Sequence, residues 1–285
     1  MSGLHCVADA KTLLNWQARL ALEFCVKSQK TVLSRREHEG PLAFQKVLYP
    51  EGERIAHALL VHPPGGIAGG DRLAIGMKLK DGAHVLATTP GATKWYRSNG
   101  QQARQNISVI QGPGTLLEYL PQENILFNAS DAQNHIEVYL DDDAVFAGWD
   151  ITLLGRRARG ESWNSGTWGQ VIRVFQAGRV RFQERLNMAA DDPRMRSKIG
   201  VSNQPVFGSF FVVGRRPAAE LVAACQALSP EPPGVAGVSG LEWGMAVRYL
   251  GESPEQARSY FEHIWSLLRP WYANTEMRRP RIWAT

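Results

Sequence analysis

Residues 171–186 read VIRVFQAGRVRFQERL. Two arms with strand-like alternation flank Gln176–Ala177–Gly178, and the glycine supplies the turn, so the segment is a β-hairpin. In its second arm Arg179, Arg181, Gln183 and Arg185 alternate with Val180, Phe182, Glu184 and Leu186. Glu184 therefore shares a face with three apolar residues. A carboxylate on the buried side of a strand is costly unless it is paired, hydrogen-bonded or beside a wet cavity. A partner arginine or a strand end open to water accounts for it as well as a functional internal acid does.

Outward from the hairpin, short apolar or alternating runs continue in both directions, separated by glycine, proline, asparagine and aspartate. They include Ile55–Val61, Leu73–Leu79, His84–Thr89, Thr115–Leu120, His135–Leu140, Val145–Leu154 and Val206–Val213. This spacing is that of an all-β sandwich, barrel or solenoid. There is almost no room for helices between the runs, which argues against a parallel α/β sheet. Helices are expected late: one over Pro217–Leu228, and a second opened by Ser253-Pro254-Glu255, with Ala257, Tyr260, Phe261, Ile264, Leu267 and Leu268 on one face. The proline- and glycine-rich stretch Glu231–Gly240 between them reads as a mobile connector.

The 285 residues are 44% hydrophobic and carry a formal charge of +5, a composition neither disordered nor fibrous. Basic clusters at Arg156–Arg159, Arg194–Lys198 and Arg278–Arg281 read first as solvated surface and second as docking sites, with no nucleic-acid signature. No apolar run is long enough to span a bilayer, and no signal sequence is evident. Cys6, Cys25 and Cys225 are too few and too scattered for a disulfide framework. The expectation is a soluble, cytoplasmic protein that binds neither membrane nor nucleic acid.

The loop between two of the runs, LLVHPPGGIAGGDRL at residues 59–73, invites a phosphate-binding reading. It fails: the glycine pairs Gly65-Gly66 and Gly69-Gly70 are followed by Asp-Arg-Leu and another strand, matching neither a dinucleotide fingerprint nor a P-loop. What remains is geometry, a stiffened double turn that sets Asp71 at a defined point, where it caps the turn's amides or serves a site. The seven histidines form no H-x-H or HExxH pair, so a preformed metal centre is poorly supported. The segment ATTPGATKWYRS, residues 87–98, offers Lys94, Tyr96 and Arg97 to an interface or to loop packing.

Taken in order, LLVHPPGGIAGGDRL, TTPGATKWYRS, LEYLPQENILFNASD, GWDITLLGRRARGE, RFQERL, WSLLRP and RPRIW resemble the successive signature blocks of the urease accessory proteins called UreD or UreH. The resemblance runs from about residue 30 to the C-terminus and makes the chain a single domain, with residues 1–30 a less certain segment. It implies a β-helical stack of many short strands with about two C-terminal helices. It also implies a non-catalytic maturation factor that binds apo-urease with the helical accessory protein UreF and the nickel-carrying GTPase UreG.

By the same resemblance, nickel(II) is held only in transit, with no tightly bound cofactor, and an internal passage is lined by Asp71 and Glu184, with His62 beside them. Gly65, Gly66, Gly69 and Gly70 would then be structural corners. Lys94, Tyr96 and Arg97, together with Trp265, Arg269 and Trp271 from a C-terminal segment of exposed arginines and aromatics, are expected at partner interfaces. Two other readings stand beside this one: a β-rich enzyme using Asp71 or Glu184 as general acid or base, and a metal-independent adaptor.

Overall fold

The structure, a computed structural model, describes residues 15–284. His5 and Cys6 lie outside the described residues. The described chain begins with the antiparallel pair β1 (Gln17–Lys27) and β2 (Lys30–Glu39) and returns through β3 (Ala43–Leu48).

Four coils follow. The first is β4 (Ile55–Val61), β5 (Gly66–Ile67) and β6 (Arg72–Leu79), and the second is β7 (His84–Thr88), β8 (Thr93–Trp95) and β9 (Ala103–Gln111). The third is β10 (Leu116–Tyr119), β11 (Asn124–Leu126) and β12 (Ser130–Leu140), and the fourth is β13 (Val145–Leu154) with β14 (Gly166–Gln176). Each strand lies parallel to its equivalent in the next coil: β4, β7, β10 and β13 along one side, β6, β9, β12 and β14 along the other. The short β5, β8 and β11 stack at the corner, where the end of β13 completes the row. The result is a β-solenoid of about four turns. Parallel strands ordinarily need a crossover of a dozen or more residues. Here the remainder of each coil is that crossover, which is why no α-helix intervenes.

After the fourth coil the pairing turns antiparallel. The hairpin partner β15 (Arg179–Ala189) closes one sheet at seven strands, while β16 (Val206–Val213), β17 (Val235–Leu241) and β18 (Gly244–Gly251) extend the other in the order β17-β18-β16-β13. Helices α1 (Ala219–Ala227) and α2 (Pro254–Ala273) are the two expected from the sequence. Ser253 caps α2 as anticipated, its Oγ accepting from the Gln256 amide at 3.2 Å.

Two expectations change. Glu231–Gly240 is largely the edge strand β17 rather than a loose connector; its side chains are mostly exposed, so no apolar alternation marked it. In the hairpin, a bulge between Val174 and Phe175 shifts the register, leaving Val180 49% exposed while Phe182, Glu184, Leu186 and Met188 turn inward.

Strand β13 shows how the layers divide. Phe146 and Leu154 join the core inside the solenoid, whereas Val145, Ala147, Trp149, Ile151 and Leu153 face outward into a second core. That second core is covered by α2 through Ala257, Tyr260, Phe261, Ile264, Trp265 and Leu268, with Leu267 only partly buried. Trp149 sits at its centre, 6.3 Å from Phe261, 6.0 Å from Trp265 and 5.4 Å from Trp283 between ring centroids. Burying each such large side chain stabilises the fold by about 1.5–3 kcal/mol.

Candidate functional site

The glycine loop forms the corner of the first coil. Gly65 and Gly70 take φ of 77° and 92°, the left-handed region that glycine occupies without strain. Gly66 and Gly69 are small for another reason: a Cβ would lie 2.5 Å from Cζ of Tyr96 at the first and 2.5 Å from Oδ1 of Asn99 at the second. Asp71 is buried and fully engaged. Its Oδ2 accepts from the Ala68 amide and its Oδ1 from the Trp16 amide, both at 2.9 Å. It fastens the turn to the chain entering β1, which is the capping role.

Beside it His62 lines a cavity of about 240 Å³, with Leu60, Ile67, Leu73, Thr93 and Gln105 among the other walls. The Nε2 of His62 is buried without a hydrogen-bond partner. Burial pushes this imidazole below its ordinary pKa, with the Asp71 charge pulling the other way. A neutral imidazole with a free ring nitrogen is a competent donor to a metal ion.

From that cavity a row of polar side chains runs along the solenoid interior. Gln105 of β9, which also lines the cavity, donates from Nε2 to Oδ1 of Asn134 on β12 at 3.2 Å. Asn134 stands in register with Gln170 on β14, whose Nε2 is buried without a hydrogen-bond partner. Next comes Asp150 of β13, fully buried. It accepts from Asn124 Nδ2 at 2.9 Å and from Thr152 Oγ1 at 3.1 Å. Burial raises the Asp150 pKa to about 6, against the amide of Gln170 and the hydrogen bonds from Thr152 and Asn124, while the nearby Glu184 charge pushes the same way as burial.

Across the β13–β16 pair, Asp150 is in register with Ser209. Ser209 Oγ donates to Glu184 Oε1 at 2.7 Å, and Arg248 Nε donates to Glu184 Oε2 at 3.2 Å. Glu184 thus has both the arginine partner and the wet opening that its place in the strand required. It stands at the inner wall of a surface groove of about 530 Å³. The three residues expected to line a passage lie at the two ends of this polar row, His62 and Asp71 at one and Glu184 at the other. Gln105, Asn134, Gln170 and Asp150 lie between. Among the described residues no group of three or more histidines, cysteines, aspartates or glutamates could hold a metal ion as a closed site.

These four connecting residues were missed in the sequence. A signal for three of them exists: in strands that alternate, Gln105, Asn134 and Gln170 each occupy an inward position where an apolar residue is the rule. Asp150 gives a weaker one, being a lone acid in a strand buried on both faces.

The interface residues divide. Lys94 and Arg97 are exposed, and Tyr96 is half-buried, packed edge-on against Phe127 with ring centroids 5.1 Å apart. Trp271 is half-buried. Trp265 and Arg269 are wholly buried, which corrects the expectation that they face a partner, and Trp283 is buried too. Their burial has a physical cause, since α2 lays its apolar face on the solenoid and carries Arg269 down onto two carboxylates. Arg269 Nε donates to both oxygens of Glu118 at 3.1 Å, and its Nη2 donates to Glu51 Oε1 at 2.9 Å. His57 Nε2 lies 2.6 Å from Glu51, and His84 Nε2 lies 2.9 Å from Glu118.

Residues 17–284 match the family described as UreD urease accessory protein. The chain belongs to the UreD family. It is 45% identical over 270 residues to the urease accessory protein UreD of Methylobacillus flagellatus, covering 95% of each chain. It is 40% identical over 274 residues to that of Dechloromonas aromatica, again over 95% of each. With the UreD of Pseudomonas fluorescens it shares 40% over 273 residues, 95% of this chain and 96% of the relative. The UreD match opens at residue 17, where β1 begins, and so includes a strand that the sequence resemblance had left outside. No helix among the described residues of this UreD chain is long and apolar enough to cross a membrane.

Proposed function

We propose that this urease accessory protein is a non-catalytic scaffold of the cytoplasm. It binds apo-urease together with UreF and UreG and passes nickel(II), its cargo, along the solenoid interior to the urease site. The observation that carries this reading is the polar row from the His62 cavity through Gln105, Asn134, Gln170 and Asp150 to Glu184 at the open groove. A divalent cation in transit needs ligands that replace part of its water and then let go. Isolated carboxylates and amides, with no closed cage, supply that. Asp150 suits such a path, because burial disfavours its ionised form while an arriving cation favours it, so the carboxylate binds the cation without the support of a closed cage.

The test is nickel content and activity of urease in cells that express the urease subunits and the other accessory proteins. Three conditions are compared: without this chain, with it, and with its Glu184→Gln/Asp150→Asn variant. Dependence on the chain establishes the maturation role. Nickel loading that falls in the variant while the complexes still assemble supports the passage; loading at the wild-type level sinks the passage and leaves the scaffold.

A further inference from the structure

The groove that ends at Glu184 has an architecture the nickel path does not explain. At this end the two sheets are unequal: β15 is the last strand of one, whereas β18 and β17 carry the other on beyond β16. The groove lies where the segment after β15, through Ile199 and Val201, meets β16, β17 and β18 of the longer sheet. The opening keeps an apolar lining, with Leu186, Met188, Val201, Phe207 and Leu250 among its walls. On its rims stand Ile199, 96% exposed, and Val235, 58% exposed. A nearly bare isoleucine and a second exposed aliphatic lining one apolar groove go beyond the scattered single apolar residues of ordinary surface and mark an interaction site.

Charge selects the partner. Arg185 and Arg194 line the groove, and Arg196 and Lys198, both exposed, come just before Ile199 in the same segment. Arg194 is matched by Asp192 and Arg248 by Glu184. Arg185, Arg196 and Lys198 form no ion pair among the described residues, so the rim keeps uncompensated positive charge around an apolar slot. Strand β17 adds a sheet edge of small residues, Ala236 and Gly237 at the groove, with none of the charges or bulges that keep edges from being used.

We infer that this groove docks a segment of a partner protein in which a bulky apolar side chain is flanked by carboxylates. The side chain enters between Ile199 and Val235, and the carboxylates meet Arg185 and Lys198. The inference rests on the maturation reading only for the proteins used to test it. Docking there seals the solenoid end against bulk water. It also brings a carboxylate within reach of Arg248, which would loosen the hold of that arginine on Glu184.

The test uses the affinity-tagged full chain, co-expressed with the urease subunits and the other accessory proteins. Ile199 or Val235 is replaced by the photo-crosslinking residue p-benzoylphenylalanine. Light should join both positions to one partner chain, at a segment that mass spectrometry identifies as acidic with an apolar anchor. In parallel, Ile199→Asp should weaken recovery of that partner by about 30-fold or more, as expected for loss of a hot spot, and Arg185→Glu/Lys198→Glu should weaken it further as salt is lowered. Ile199 is solvent-exposed, so its substitution leaves the core untouched. An intact complex with no cross-link from either position, a cross-link to a basic segment, or undiminished recovery with Ile199→Asp overturns the docking inference alone. If the wild-type chain assembles with none of these proteins, the maturation reading falls with it.

Discussion

Arg269 and Glu118, 151 positions apart in the chain, are joined by a forked hydrogen bond in which the arginine Nε reaches both carboxylate oxygens at 3.1 Å. Both side chains are wholly buried. The same guanidinium holds Glu51 and donates to the Glu276 carbonyl at 2.8 Å, so α2, the C-terminal tail and two parts of the solenoid side meet at one cation. Removing one partner of such a cluster leaves charges buried without compensation, which costs about 3–5 kcal/mol. Arg269→Ala should therefore lower the unfolding free energy read from urea titration of the purified chain or its complex by that much, with Arg269→Lys losing less. A shift under 1 kcal/mol would mean that the cluster is solvated.

The two carboxylates with the largest opposed shifts make a pH prediction. Burial works to raise the pKa of Glu51, but hydrogen bonds from His57 and Arg269 outweigh it and hold the group at about 2. A folded-state pKa below the unfolded one gives stability that is present above about pH 4.5 and lost as pH falls toward 2. Asp150 has the opposite sign. Its folded pKa of about 6 lies above the unfolded value, so its contribution is complete below about pH 4 and lost as pH rises through 6. Asp150→Asn should therefore stabilise the protein at pH 7 by up to about 3 kcal/mol, with the gain vanishing at pH 4. Equal effects at both pH values would mean that Asp150 is ionised throughout.

The glycine corner is tested at two adjacent residues with different constraints. Gly65→Ala meets its nearest neighbour, Tyr96 Oη, at 4.0 Å but places alanine at φ 77°, a backbone cost of about 1–2 kcal/mol. Gly66→Ala has an ordinary φ but drives its Cβ into the Tyr96 ring and to 2.8 Å from the Lys94 carbonyl, and overpacking of this kind costs about 1–3 kcal/mol. Tyr96→Ala should recover part of the second loss and none of the first. A double-mutant cycle by thermal unfolding reads the difference.

The solenoid was legible where a strand is buried on one or both faces. Val145–Leu154 and Val206–Val213 declare themselves by largely apolar runs, broken only by Asp150 and Thr152 in the first and Ser209 in the second, and Ile55–Val61 by a run that only His57 interrupts. β17 was hidden because exposed valine, alanine and glycine carry no period. β1 was hidden by its position, since its alternation of Ala18, Leu20, Leu22 and Phe24 is plain once residues 17–27 are considered. Glu184 was found because one acid broke an apolar face. The fates of Asp71, which caps its own turn, and of Arg269, which lies under a helix, depend on distant groups. Trp16 lies 55 positions from the first and Glu51 lies 218 from the second, and local pattern holds no record of either.

The interior row carries the last prediction. Asn134 lies between the His62 cavity and Asp150, and is the residue that Gln105 Nε2 donates to. Asn134→Leu is close in size but removes an amide from the middle of the row and leaves Gln105 unpaired, at about 1–3 kcal/mol. The chain should still fold and join its complexes, because Asn134 lies 2% exposed inside the solenoid, away from every surface. Nickel per urease active site should nevertheless fall when measured at matched levels of the complex. Asn134→Gln, which keeps the amide, should restore most of it. Full nickel loading with leucine at this position would show that the cargo does not travel through the solenoid, whatever the surface of the protein binds.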